Sequence, residues 1–299
     1  MDVLAHALGD EMDLRVERTE HRGHAEELAR AARADAVDVV CVLGGDGTVN
    51  EAVNGLLAGG PAAEGPRLAI IPGGSANVAA RALGLPTDPV EATGEILQAL
   101  REGRRRTIGL GTIAITPDDR APVIHRWFIA NAGLGVDAEI IAAMEDDRAA
   151  GHEATPTRYL LTTIRQFLWR TDRREPALEV VLPDSTVDGV FLAIVQNTSP
   201  WTYLGTLPIA PCPDASFETG LDLFAVRRMS LATAMRLARR MIAGSRAGST
   251  ARSLTVAHDL PGLTVTASRP IALQVDGEGL GDVRGATFAA VPDALAVVA

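Results

Sequence analysis

Residues 39–57 run Val-Val-Cys-Val-Leu-Gly-Gly-Asp-Gly-Thr-Val-Asn-Glu-Ala-Val-Asn-Gly-Leu-Leu, an apolar run that breaks at Gly44, Gly45, Asp46, Gly47 and Thr48 before a helical pattern resumes. A strand buried on both faces reads as continuous Val, Leu and Ile. Glycines then allow the tight turn and close backbone approach that a polyphosphate requires, and the following helix aims its free N–H groups at the anion. Asp46 sits in the middle of this turn, where a carboxylate repels phosphate unless it holds Mg²⁺ or takes a proton. The turn therefore suggests chemistry as well as binding. A plainer reading makes Asp46 a helix cap and the glycines a simple bend. Against it stand three glycines around one acid, Thr48 as a hydroxyl donor and Glu51 one turn into the helix. The segment has neither the Gly-Lys-Ser/Thr of a Walker loop nor a GxGxxG fingerprint. All 28 basic residues are Arg, so no lysine exists to serve a Walker loop.

Around this turn the chain alternates strand and helix. A helix is expected over Ala25 to Ala34, a strand over Val37 to Leu43 and a second strand over Arg67 to Ile71. The turn Pro72-Gly73-Gly74-Ser75-Ala76-Asn77 follows, then helices over Val78 to Leu83 and Val90 to Arg105. Such alternation predicts a parallel sheet with ligands at the carboxyl ends of its strands, where both glycine turns fall. After about Thr107 the pattern changes to short strands with polar alternation, from Gly109 to Thr116 through to Ile271 to Val275. Two amphipathic helices, Thr157 to Arg170 and Ser230 to Ala243, interrupt them. The expected fold is α/β with two domains. Residues 1–107 form a Rossmann-like parallel domain, to which residues 289–299 can return, and residues 108–288 form a mainly antiparallel, β-sandwich-like domain.

Several classes fall away on composition. A net charge of −10 argues against nucleic acid as a partner, because phosphate backbones are bound by excess positive charge. Cys41 and Cys212 provide no disulfide framework and no clustered metal ligands, which suits a reducing, cytoplasmic setting. The N-terminus lacks a signal-peptide pattern, and no apolar run reaches the ~18 residues of a membrane span. The six histidines show no metal-ligand spacing and read as surface or packing residues, and no Gly-x-Ser-x-Gly elbow supports hydrolase chemistry.

Four ordered motifs stand together: Gly44 to Glu51, Pro72 to Arg81, Asn131-Ala132-Gly133-Leu134-Gly135-Val136-Asp137-Ala138-Glu139, and Val275-Asp276-Gly277-Glu278. In order and spacing they resemble the diacylglycerol kinase catalytic family, which includes bacterial lipid kinases and sphingosine kinases. The resemblance covers the chain from about Thr19 to its end. It implies transfer of the γ-phosphate of ATP, with Mg²⁺, to a lipid hydroxyl, diacylglycerol being the default acceptor. On matching positions Gly44, Gly45, Asp46, Gly47, Thr48, Val49 and Asn50 would line the phosphates. Thr19 and Ser75 would stand where family members place nucleotide-contacting hydroxyls, and Asn77 would either contact the nucleotide or cap the next helix. Glu278 matches the proton acceptor, which is needed because an alcohol has a high pKa. Asp46 and Asp276 are candidates for Mg²⁺ or for sharing the proton. Taken alone, Asp276-Gly277 is a strong hairpin-turn signal between apolar strands.

Two departures matter. Family members usually begin with a strand ending in Asn-Pro-x-Ser-Gly, whereas this chain opens on the helix-like Met1-Asp2-Val3-Leu4, so the start is truncated or one nucleotide contact is gone. The Asp-Asp-Gly-like segment that holds a structural Mg²⁺ in some members reads Ser216-Phe217-Glu218-Thr219-Gly220-Leu221 here, and that metal is not expected. An NAD kinase-like small-molecule kinase stays open as an alternative, as does a non-catalytic lipid- or nucleotide-binding protein. Tyr159, Leu160, Ile164, Phe167 and Leu168, bordered by arginines, would give a stripe able to touch an anionic membrane or, more commonly, to pack in a core. Expected partners are thus a lipid alcohol and a transient, peripheral membrane contact, and a homodimer stays open.

Overall fold

The computed structural model describes residues 6, 8–10, 12–117, 121–135, 176–228, 230–243 and 253–299. The chain divides into two compact units, one of Met1–Leu110 with Asp293–Ala299 and one of Gly111–Pro292.

The first unit alternates α1 (His24–Ala34), β1 (Val39–Gly44), α2 (Asp46–Leu56), β2 (Arg67–Pro72), α3 (Val78–Ala82) and α4 (Pro89–Arg101). β1 and β2 pair in parallel, from Val39 opposite Arg67 to Gly44 opposite Pro72. The chain's C-terminal segment joins the other side of β2, with Val297 opposite Leu68 in parallel. β2 is therefore flanked on both sides, and Leu68 to Pro72 are all buried. β1 departs from the expectation of a strand buried on both faces. Among the described residues it pairs with β2 alone, and only Val42 is buried while Leu43 is exposed.

α1 and α2 cross where a methyl on Gly55 would meet the Glu26 carbonyl, so the missing side chain lets the two backbones touch beside Ala29. Arg33 then reaches the carbonyls of Leu56 and Gly60, satisfying the end of α2. α4 begins with Asp88 accepting the N–H groups of Val90 (2.9 Å) and Glu91 (3.0 Å), followed by Pro89 in the first turn. It stops at Arg101 rather than running to Arg105, because Gly103 adopts a left-handed conformation, φ 66°, that ends the helix. Arg105 leaves the helix end to bond the Ala63 carbonyl.

β3 (Arg106–Thr116) leads into the second unit, which contains β4 (Ile124–Phe128), β5 (Asn131–Gly135), β6 (Leu178–Leu182), β7 (Ser185–Val190), β8 (Leu192–Gln196), β9 (Thr202–Leu204), β10 (Leu207–Ile209) and β11 (Leu221–Val226). α5 (Leu231–Ala243), β12 (Leu254–Leu260), β13 (Gly262–Val275) and β14 (Glu278–Val297) follow, with the residues of β14 from Asp293 onward belonging to the first unit. The strand pairs of this unit are antiparallel, in the order β14-β13-β5-β8-β11-β12. β13 bends after Thr266. Its first half pairs with β6 and its last residues with β5.

The period of two along β11 feeds two cores. Leu223 and Ala225 join the large cluster with Leu134, Val195 and Leu273, while Phe224 and Val226 join a smaller one with Ile194, Cys212 and Leu254. Both faces are covered, so β11 is buried throughout instead of alternating with polar residues. The expected helix over Thr157 to Arg170, the first four residues and Val136 to Glu139 lie outside the described residues. No helix among the described residues is long and apolar enough to cross a membrane.

Candidate active site

Because β1 and β2 are parallel and in register, their C-terminal glycine turns emerge side by side. The Gly73 N–H donates to the Gly44 carbonyl at 2.8 Å. A Cβ on Gly74 would lie 2.7 Å from the Cα of Gly45, and one on Gly73 3.2 Å from the Cα of Gly44. These glycines are required by contact between two backbones. Gly44 is further covered by Thr48, whose Cβ would be 2.9 Å from any added methyl.

Gly45 is extended, and no side chain caps α2. Gly47 is exposed in its first turn, with open space where a side chain would be. An 11-residue helix with an uncapped, open N-terminus offers N–H donors and the positive end of its dipole to an anion. Gly73, Gly74 and Ser75 form an exposed neighbouring rim, and Thr19 is exposed ahead of α1.

Three candidate contacts turn out to be framework. Val49 and Asn50 are each 1% exposed, and Asn50 accepts from the Asn54 side chain at 3.1 Å, so in this conformation neither lines the open surface. α2 carries them on its inward face, a consequence of helical phase that the motif does not reveal. Asn77 adopts the left-handed conformation, φ 48°, and does not cap α3 with its side chain. Instead it accepts from the Gly74 N–H and donates to the Gly74 carbonyl, each at 2.8 Å, closing the second glycine turn on itself.

Asp46 also does something other than cap its own helix. Its Oδ1 accepts the Ala79 N–H at 3.1 Å. Burial raises its pKa, against the opposing pull of backbone bonds from Ala79, Val78 and Asn77. Further along α2 the Glu51 carboxylate accepts the N–H groups of Gly23 (2.8 Å) and Ala25 (3.2 Å) at the start of α1.

In the second unit Asp276 and Gly277 form the two-residue turn between β13 and β14, with φ 47° and 81° and Val275 opposite Glu278. Both Asp276 oxygens are occupied: Oδ2 accepts from Ile129 (2.8 Å), and Oδ1 from Ala130 (2.8 Å) and Asn131 (3.0 Å). A carboxylate so committed does not fit the expected Mg²⁺ ligand and is a fixture of the turn. Gln274, buried, accepts from the Gly277 N–H and donates to Asn131, holding the turn from its other side. Glu278 emerges from this rigid base with its side chain 14% exposed and Arg126 of β4 at 3.4 Å.

Tertiary contacts set the roles of Arg126, Gln274 and Glu51, and the charged Arg126 between His125 and Trp127 in β4 is the hint that the sequence carries. Sequence spacing also gave no sign that ligand atoms of His21, His24 and Glu27 lie within 4.8 Å of one another. His21 precedes the helix, so helical spacing does not apply to it. Its ring stacks on His24 at 4.7 Å, nearly parallel.

The model of the diacylglycerol kinase catalytic domain matches residues 2–113. A diacylglycerol kinase of Mycobacterium tuberculosis (strain H37Rv) is 32% identical over 92% of this chain and 81% of its own. The Stenotrophomonas maltophilia protein named "Probable lipid kinase YegS-like" is 28% identical over 93% of this chain and 84% of its own. A diacylglycerol kinase crystal structure from Bacillus anthracis str. Sterne superposes with a TM-score of 0.68 over 97% of this chain and 87% of that one, at 19% identity. That superposition bears on the fold, a mixed α/β arrangement with an antiparallel second unit.

Proposed function

The chain belongs to the diacylglycerol kinase family, and from that premise we propose that it transfers the γ-phosphate of ATP to a lipid hydroxyl, with diacylglycerol or a related lipid alcohol as acceptor. The observation that carries the reading is the pair of touching glycine turns beside the uncapped N-terminus of α2. In it, backbone N–H groups near Gly45 and Gly47, with the Thr48 and Ser75 hydroxyls, hold the phosphates, and Thr19 contacts the nucleotide. Glu278 accepts the proton of the attacking hydroxyl. The Asp276 bonds and Gln274 keep Glu278 in place, because a base contributes only within hydrogen-bond reach of the proton it removes.

Mg²⁺ binds oxygen ligands and keeps much of its shell for water and phosphate. Asp46 is the one carboxylate at the glycine turns that could hold such an ion, and the ion would supply neutralisation of the phosphate charge. Asp46 also keeps the two turns registered through the first turn of α3.

The test is transfer of labelled γ-phosphate from ATP with Mg²⁺ to a panel of lipid alcohols in mixed micelles, comparing wild type with Asp46→Asn and Glu278→Gln. Removing the base is expected to cost roughly 10²–10⁴-fold in rate. Labelled lipid from wild type with strong loss in both variants supports the reading and identifies the acceptor. ATP binding without transfer to any lipid would point to another acceptor or to a binding protein. Absence of both would reject it.

A further inference from the structure

The chain holds 28 arginines against 38 acids, yet residues 227–252 contain seven of those arginines and no Asp or Glu. That leaves 21 arginines beside all 38 acids in the remainder. A compositional preference for Arg over Lys explains which cation is used. It does not explain the absence of any acid among them.

α5 occupies the centre of this stretch. Ser230 starts it by accepting the Thr233 N–H at 3.2 Å. Thr233, Leu237 and Met241, four residues apart, form its inner face, the last two against the smaller core cluster. The opposite side carries Met235 and Ile242, seven apart and 57% and 48% exposed, with Arg239 between them and Arg236 alongside, both exposed. An ordinary surface helix turns charged and polar groups away from the core. This one exposes two large apolar side chains among guanidinium groups, the composition of a helix that lies in a membrane interface.

We propose that the outer face of α5 docks the protein on an anionic lipid surface, Met235 and Ile242 entering the headgroup layer while Arg236 and Arg239 pair with lipid phosphates. The charge asymmetry favours this occupant. A run of seven arginines with no acid among them carries the sign that such a surface attracts. Two apolar side chains are too little for a stable protein interface, which buries about 800 Å² per partner. Shallow insertion backed by charge requires no more than that. The proposal stands on this surface alone, apart from the phosphotransfer chemistry.

The test is co-sedimentation of the full chain with vesicles of phosphatidylcholine alone or mixed with phosphatidylglycerol, at low and high salt and without ATP. Binding to the anionic vesicles that weakens with salt is expected. Arg236→Gln with Arg239→Gln should lower apparent affinity about thirtyfold, and Met235→Ser with Ile242→Ser should abolish the salt-resistant part. Met235→Trp, folded by circular dichroism, should shift its emission to the blue when anionic vesicles are added. No binding, undiminished binding by these variants, or an unmoved emission would overturn the proposal. So would a dimer that Met235→Ser dissociates without lipid, which would assign the face to a second copy. Failure of wild type to phosphorylate lipid in micelles would count against the proposed function and leave this result standing.

Discussion

Asp46 and Ala79 are 33 residues apart in sequence, yet the Asp46 carboxylate accepts the Ala79 N–H at 3.1 Å. The first residue of one helix thus places its charge on the first turn of another, and each helix follows a glycine turn. With the Gly73 N–H to Gly44 carbonyl bond, this ties the two turns together by backbone and by side chain. The same anion lies at the open end of α2, so structure and proposed chemistry compete for it.

That competition has a pH signature. Burial raises the folded-state pKa of Asp46. The stability this contributes is complete below the unfolded value of about 3.9 and is lost as pH rises through the folded value. Asp46→Asn removes the loss. Relative to wild type, its Tm should therefore improve as pH rises above about 4, while phosphotransfer falls. Calorimetry across that range checks it, and a constant difference would argue against a raised pKa.

Two glycine substitutions separate space from function. Gly74→Ala forces a methyl to 2.7 Å from the Gly45 Cα and 3.0 Å from the Asn77 Oδ1. It should cost about 1–3 kcal/mol in urea unfolding and weaken ATP binding as the turns part. At Gly47 the space is open. Gly47→Ala should leave stability within about 1 kcal/mol and still lower ATP affinity, because the methyl projects beside the N–H groups offered to phosphate.

Asp276 and Glu278 should part company in the same way. Asp276→Ala strands the N–H groups of Ile129, Ala130 and Asn131, a loss of about 3 kcal/mol or more in chemical denaturation. Glu278→Gln keeps the turn and should unfold close to wild type while losing transfer. Equal stability of the two variants would mean the turn does not depend on Asp276.

The thiols should be inert in the folded protein. Burial pushes the Cys41 pKa up to about 11 and that of Cys212 well above its ordinary value. Since the thiolate is the nucleophile, alkylation of native protein near pH 8 should run on the order of a hundredfold slower than in urea. Mass spectrometry of iodoacetamide-treated samples reads this directly, and rapid native labelling of the half-buried Cys41 would argue against its raised pKa.

Much of the local architecture was readable from residue order. The helix expected over Ala25 to Ala34 runs from His24 to Ala34, and the strand expected over Arg67 to Ile71 runs from Arg67 to Pro72. The misreadings have local causes too. α4 ended early because Gly103 takes a conformation that closes a helix, and Val39 to Leu43 is apolar without being enclosed, because composition does not say how many neighbours a strand has. The motif around Gly44 marked the correct turn but could not divide its residues into surface and framework.

By itself the sequence determined α1, β2, the two glycine turns and the Asp276-Gly277 hairpin, because each rests on periodicity or on backbone preferences acting over a few residues. Tertiary structure alone decided what the carboxylates do. Asp46 serves Ala79, Glu51 serves Gly23 28 residues before it, and Asp276 serves Ile129 147 residues before it. A buried carboxylate must find donors, and the nearest ones are chosen by how the elements pack, which no short stretch of residues records.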